Sequence, residues 1–370
     1  MKALIGFALS LIWFAGCGHG ACRETGTTAP GGLGSTQPRW NGLPVYDHIV
    51  IVVEENKNYE DLIDASGAPF VNRLRREGAN FTQMFGEEHF SQGNYFWLFS
   101  GSNHNIGFVD VPPPPQSLVA SNLGGQLLRR GYSFKGYSES LPAIGDACDA
   151  AGVSPKYPKN PLYARKHVPW ISFRDIPAGA TVETSSNLRF EDFPKPTAYD
   201  QLPTVAFVIP NLDNDMHNGP TSESVPTGDA WLKEHLESYY EWAKTHNSLL
   251  VLTFDENDDK RAYQGLTNAV INPDDSPTGD AGARSKTPCG GDRKDPALKE
   301  LCVDLQNRIV TIFAGAHIKP GDYPEGKGIT HINILRMLEA MYDLPKSGAQ
   351  QPNAAGGRIA DESVIRDVFE

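Results

Sequence analysis

A chain of 370 residues with 39% hydrophobic, 10% aromatic and 21% charged content has the make-up of a globular enzyme with a sizeable core, and one large domain is the simplest reading. Its net charge of -12 excludes the basic surface of a general nucleic-acid binder, so no nucleic-acid partner is expected.

Met1 and Lys2 lead into an apolar run over residues 3–15, too short to span a bilayer and of the length of a secretory-signal core. Residues 1–22 are therefore read as an export signal. The run ends in Phe14-Ala15-Gly16-Cys17, which resembles a bacterial lipobox, so a lipidated Cys17 would attach the chain to a membrane. Gly20-Ala21 before Cys22 keeps ordinary cleavage and free secretion open as the second reading. Residues 23–45, rich at first in Thr, Gly, Pro and Ser, read as a flexible linker, and residues 46–370 as a single catalytic domain. Cys289 and Cys302 bracket one polar excursion and are expected to pair in an oxidising compartment, leaving Cys148 unexplained. Nothing in the sequence bears on oligomeric state.

Short runs rich in β-branched residues at 48–53, 133–137, 204–209, 248–254 and 309–314 predict buried strands. Helical spacing lies between and after them, at 232–245 and beyond Thr330, where Ile334, Leu335, Leu338 and Met341 share one face. Alternating strands and helices predict an α/β fold around a central, mostly parallel β-sheet. Such sheets bind ligands beyond the carboxyl ends of their strands. The first run is followed there by Glu54, Glu55 and Asn56, the third by Asn211, Asp213, Asp215 and His217, and the fourth by Asp255, Glu256 and Asn257. Three acidic clusters on one edge point to a metal site. Mixed Asp, Glu and His donors suit one or two divalent cations, with Zn, Mn, Fe, Ca and Mg equally compatible. The irregular stretch 257–301 is expected to border the site.

Taken singly, each signal has a plainer reading. Asp255 with Glu256 also fits a solvated acidic turn, His217 a surface histidine, and His331 a residue near a helix N-terminus. Ser91, opening the segment before the apolar stretch 96–99, fits a helix cap as well as a nucleophile beside free backbone N–H groups.

In order, His48-Ile49-Val50-Ile51-Val52-Val53-Glu54-Glu55-Asn56, Asn94-Tyr95 with Ser100-Gly101, residues 131–140, Pro210-Asn211 through His217, Thr253-Phe254-Asp255-Glu256, and Thr330-His331 leading to Leu335-Arg336 resemble the phosphoesterase family of bacterial and fungal acid phosphatases and phospholipases C. The resemblance covers residues 47–344 and implies an alkaline phosphatase-like fold with helices on both faces of the sheet. It implies Glu55, Asn56, Asp215, His217, Asp255, Glu256 and His331 as metal ligands, Ser91 as nucleophile and Asn94 as phosphate ligand. Lys166 and His167 become substrate-side groups, His167 protonating the leaving oxygen or binding phosphate. Two departures stand out: Gly93 replaces the usual Pro, and Asp213 replaces Cys or a similar small residue.

The expected activity is metal-dependent hydrolysis of phosphate monoesters through a phosphoserine, on a small phosphorylated substrate or a phospholipid headgroup. A phospholipase C-type phosphodiesterase is the enzymatic alternative. A non-catalytic lipoprotein that binds phosphorylated ligands is the alternative from another class.

Overall fold

Isoleucine and valine run unbroken over residues 49–53, a pattern suited to a strand covered on both faces. The structure, a computed structural model, describes residues 39–87, 90–104, 106, 110–258, 307–323, 329–348 and 364–370, and it makes His48–Glu54 (β1) an interior strand buried from Ile49 onward. The other strands of its sheet are β2 (Ala79–Phe81), β3 (Phe134–Ser138), β4 (Asn187–Arg189), β5 (Val205–Ile209), β6 (Ser248–Phe254), β7 (Thr311–Gly315) and β8 (Gly321–Tyr323). Their spatial order is β8-β2-β7-β6-β1-β5-β3-β4. From β6 to β4 the neighbours are parallel; β7 runs antiparallel to both β6 and β2. The α/β architecture expected from the alternation is thus the observed one.

Helices α1 (Pro69–Glu77) and α4 (Thr221–Ala243) pack together on one side, while α2 (Ser91–Ser100) packs on α3 (Leu123–Arg129) and α5 (His331–Met341). The two groups cover opposite faces. Phe99 of α2 meets Phe207 of β5 at 5.8 Å between ring centroids, and Phe207 is in register with Ile51, whereas Asp229 of α4 acts on Glu54, three residues further along β1 and so on the other face. Asp229 also ties the groups on its own face together: its carboxylate accepts the Phe70 and Val71 amides at 3.0 and 2.8 Å, capping α1, whose own N-cap Ala68 offers no acceptor. On the α2 face the Trp170 ring lies directly over Gly136 of β3, where an added Cβ would fall 2.1 Å from it.

Three expectations change. The linker expected over 23–45 ends earlier, because Arg39–Trp40 pairs antiparallel with Leu43–Pro44. Asn41 and Gly42 between them both adopt positive φ, 51° and 83°, the geometry an Asn-Gly hairpin turn prefers. The single strand expected at 309–314 is split at Val310: Arg308–Ile309 pairs with Met84–Phe85 in a small separate sheet, and only Thr311–Gly315 joins the main one. The helix expected at 232–245 begins earlier, at Thr221.

The export signal with Cys17 and Cys22, the Cys289–Cys302 pair and nearly all of 257–301 lie outside the described residues. Cys148 is a free, half-buried thiol. Among the described residues no helix is long and apolar enough to cross a membrane.

Candidate active site

Parallel pairing sets the site's frame. Glu54 and Phe254 are in register, so the residues that follow them leave the sheet side by side, and the Asp255 amide donates to the Glu54 carbonyl at 3.0 Å. Glu55 in turn donates its amide to the Asp215 carbonyl at 2.8 Å, which joins the loop after β5 to the same edge. Asn56, at a φ of 47°, turns the chain and gives its amide to Asp255 Oδ1 at 3.0 Å. Asp215 Oδ1 accepts the His217 amide at 2.9 Å.

Ser91 is the first residue of α2. Phe90 before it holds a φ of 78°, a conformation unfavourable for a bulky residue, and its amide donates to Glu256 Oε2 at 3.0 Å. That anchor brings Ser91 Oγ to 3.0 Å from Glu55 Oε2 and 3.4 Å from Glu256 Oε1. One turn on, the Tyr95 hydroxyl donates to Glu55 Oε1 at 2.6 Å, and the Tyr95 ring stacks on His167 with centroids 4.9 Å apart. His167 Nε2 lies 3.2 Å from Glu55 Oε1 without hydrogen-bond alignment, and its Nδ1 lies 4.0 Å from Asp215 Oδ2. Lys166 Nζ is paired with Asp110 Oδ2 at 2.8 Å.

The model of the Phosphoesterase family matches residues 62–345. The chain belongs to that family. A phosphatidylinositol-3-phosphatase of Mycobacterium tuberculosis is 40% identical over 308 residues, 83% of this chain and 81% of its own length. A probable acid phosphatase of Kluyveromyces lactis is 27% identical over 229 residues, 61% of this chain and 50% of its own, so the chain spans about half of that relative. Among solved structures, a protein of the alkaline phosphatase superfamily from Vibrio parahaemolyticus aligns with a TM-score of 0.45 at 10% identity, over 84% of this chain and 68% of that one. This phosphoesterase is accordingly a hydrolase of phosphoric ester bonds.

Its carboxylates are crowded and dry. Burial, added to by Glu256, pushes Glu55 up to about 7 although Lys166 opposes it; burial and Asp110 push Glu256 up to about 8. Asp215 and Asp255 are raised well above the usual carboxylate range, by burial first and Glu55 second, and each keeps one oxygen, Oδ2, buried with no hydrogen-bond partner. Among the described residues no three His, Cys, Asp or Glu side chains already stand at ligand spacing. The orphaned oxygens and the all-oxygen-plus-imidazole donor set nevertheless fit a divalent cation, since a positive ion relieves their mutual repulsion. His217 belongs to this field: burial lowers its pKa, and the charges of Lys166 and Asp255 reach it.

His331 lies between a carboxylate and a backbone carbonyl. Its Nδ1 stands 2.6 Å from Glu87 Oε2 and its Nε2 2.7 Å from the Phe254 carbonyl. Donation from both nitrogens to these two acceptors would make the ring an imidazolium, which has no lone pair for a metal. Burial alone would lower its pKa, but Glu87 and the Phe254 carbonyl outweigh that and raise it. Asn94 sits beside the same network, its Oδ1 accepting the Glu87 amide at 2.9 Å. Asp213 is held by Ser154 Oγ and Asn218 Nδ2, at 2.8 and 2.6 Å.

The residues that sequence reasoning missed are Tyr95, Glu87 and Asp110. Tyr95 has a legible signal, since it lies four positions after Ser91 and so on the same helix face.

Proposed function

We propose that this phosphoesterase hydrolyses phosphate monoesters through a phosphoserine at Ser91. The observation that carries the reading is Ser91 Oγ at a helix N-terminus between Glu55 and Glu256, at 3.0 and 3.4 Å. The α2 N-terminus and the Lys166 ammonium supply positive potential for a phosphoryl group there. Ser91 gives its proton to a neighbouring carboxylate as Oγ bonds phosphorus, and the ester oxygen departs as the alcohol after taking up a proton. Water then attacks the phosphoserine, releasing phosphate and restoring the hydroxyl. Burial first and Lys166 second hold the His167 pKa well below the ordinary range, which favours a neutral ring, stacked on Tyr95, that binds phosphate over one that protonates the leaving oxygen.

One or two divalent cations would be held by Glu55, Asn56, Asp215, His217, Asp255 and Glu256. Such an ion, when bound, lowers the pKa of the serine hydroxyl and neutralises phosphoryl charge. The relative named a phosphatidylinositol-3-phosphatase favours a second reading, in which the monoester sits on a lipid headgroup. Export through residues 1–22, with lipidation at Cys17 or release, remains part of the proposal and is read from the mass of the mature N-terminus.

The test is turnover of p-nitrophenyl phosphate, bis(p-nitrophenyl) phosphate and phosphatidylinositol 3-phosphate by wild type and Ser91→Ala. Monoester turnover that falls by several orders of magnitude in Ser91→Ala supports the reading. Preference for the diester returns the phosphodiesterase, and phosphate binding without turnover returns the binding protein. More than about a tenth of wild-type activity in Ser91→Ala removes Ser91 as nucleophile.

A further inference from the structure

The position beside Ser91 that suits a phosphoryl oxygen is already held by a carboxylate. Asp110 Oδ2 is 2.8 Å from Lys166 Nζ, and Asp110 Oδ1 is 3.3 Å from the amide nitrogen of Gln92, the residue after Ser91. The Gln92 amide belongs to the first turn of α2, where N–H groups have no acceptor within the helix. A helix amide together with a lysine ammonium is the donor pair a phosphate takes. Asp110 is held there from its own strand of chain: the Gln92 side-chain amide donates to the Val111 carbonyl at 3.1 Å, and Arg165 Nη1 donates to the Pro113 carbonyl at 2.7 Å. Pro112 to Pro115 stiffen the stretch that follows. The Asp110 charge also reaches Glu256, which places it within the field of the site. At 31% exposure its side chain has a route outward to solvent.

We propose that Asp110 is an internal competitor of phosphate: its carboxylate takes back the Gln92 amide and Lys166 when hydrolysis is complete and so drives phosphate from the site. Substrate binding moves Asp110 aside, and product loss returns it. No bond is made or broken in this exchange. The cost of displacing the carboxylate falls on every phosphate-bearing ligand, and inorganic phosphate, which has no other group to hold it, is weakened most visibly.

The proposal rests on the phosphatase reading for its purpose, but its test does not. Inorganic phosphate is titrated into the purified wild type and Asp110→Asn by calorimetry, and its competitive inhibition of p-nitrophenyl phosphate turnover is measured in both. Asn keeps the shape and an acceptor for Gln92 while dropping the charge. The dissociation and inhibition constants for phosphate should both fall about tenfold in the variant, the scale of one charge-assisted contact, with KM falling in parallel. Asp110→Ser, which is smaller, should shift them in the same direction. If phosphate binds equally or more weakly in both variants, Asp110 serves only to orient Lys166 and the competitor role is overturned. A wild type that binds phosphate without turning over any ester would sink the phosphatase reading, while the binding comparison would still decide the role of Asp110.

Discussion

Ser91 and Glu55 stand 3.0 Å apart, Oγ to Oε2, while Tyr95 of the same helix occupies the other oxygen of that carboxylate at 2.6 Å. One carboxylate is thus gripped by two side chains four residues apart, and the helix, the serine and Glu55 are located as a unit. Tyr95→Phe keeps the buried ring and removes only the hydroxyl. Leaving Glu55 Oε1 without that donor is worth about 1–3 kcal/mol, so kcat should fall roughly tenfold or more with KM little changed. Steady-state kinetics check this, and an unaltered kcat would show that the hydroxyl does not position Glu55.

Replacing His331 by Gln leaves Glu87, which is fully buried, without its charged partner. Breaking a buried pair from one side costs about 3–5 kcal/mol, so denaturant unfolding should register a large loss. The metal content of the folded variant should equal that of wild type. Loss of metal with stability intact would restore His331 to the ligand set.

Asp255→Asn separates ligand loss from charge crowding. It removes a donor and, with it, a charge that Glu55 and Glu256 oppose. Activity should collapse while the melting temperature in chelator stays level or rises. Wild type, by contrast, should lose both activity and melting temperature to chelator, because a ligand bound only by the folded state stabilises it by mass action. A chelator-treated Asp255→Asn protein that melts well below chelator-treated wild type would count against the crowding.

His104 gives an acid-side signature away from these carboxylates. Burial lowers its pKa from 6.5 to about 4, and Nε2 stands 2.7 Å from Ser100 Oγ. Between those values the unfolded chain takes up a proton that the folded one refuses. Stability from this group is therefore whole above about pH 6.5 and drains away as pH falls toward 4, with a slope of about 1.4 kcal/mol per pH unit. Urea unfolding from pH 7 to pH 4 should show a flatter profile in His104→Gln. Parallel profiles would remove His104 as the cause.

How much of this was readable beforehand follows from what each pattern encodes. β1, β5 and β6 were legible because strands covered on both faces have continuous apolar runs. β2, β4 and β8, of three residues each, are too short to carry a period and exist only through their neighbours. Trp40-Asn41-Gly42-Leu43 did carry a hairpin signal, hidden by the polar composition before it. At the site, Glu55, Asp215, Asp255 and Glu256 were legible as strand-end residues, since a parallel sheet gathers such positions. Tyr95 reads by residue type as core, because an aromatic residue on an apolar helix usually is. Asp110 and Glu87 had no signal, for their partners Lys166 and His331 are 56 and 244 residues away in the chain. A motif gave the place of His331 but not which atoms its ring would meet.

The segments that build the site are dispersed along the chain: Glu55 and Ser91 come early, Lys166 and Asp215 near the middle, Asp255 and Glu256 beyond them, and His331 close to the end. A polypeptide halted before β6 carries its serine and its first carboxylate yet lacks the residue that holds Phe90 in its strained turn. A fragment that stops before β6, or an intermediate in which β6 has not yet paired with β1, therefore has no assembled site. Such distant pairing is the slow part of folding. The return of turnover during refolding would thus report the pairing of β6 with β1, where a signal from helices alone would not.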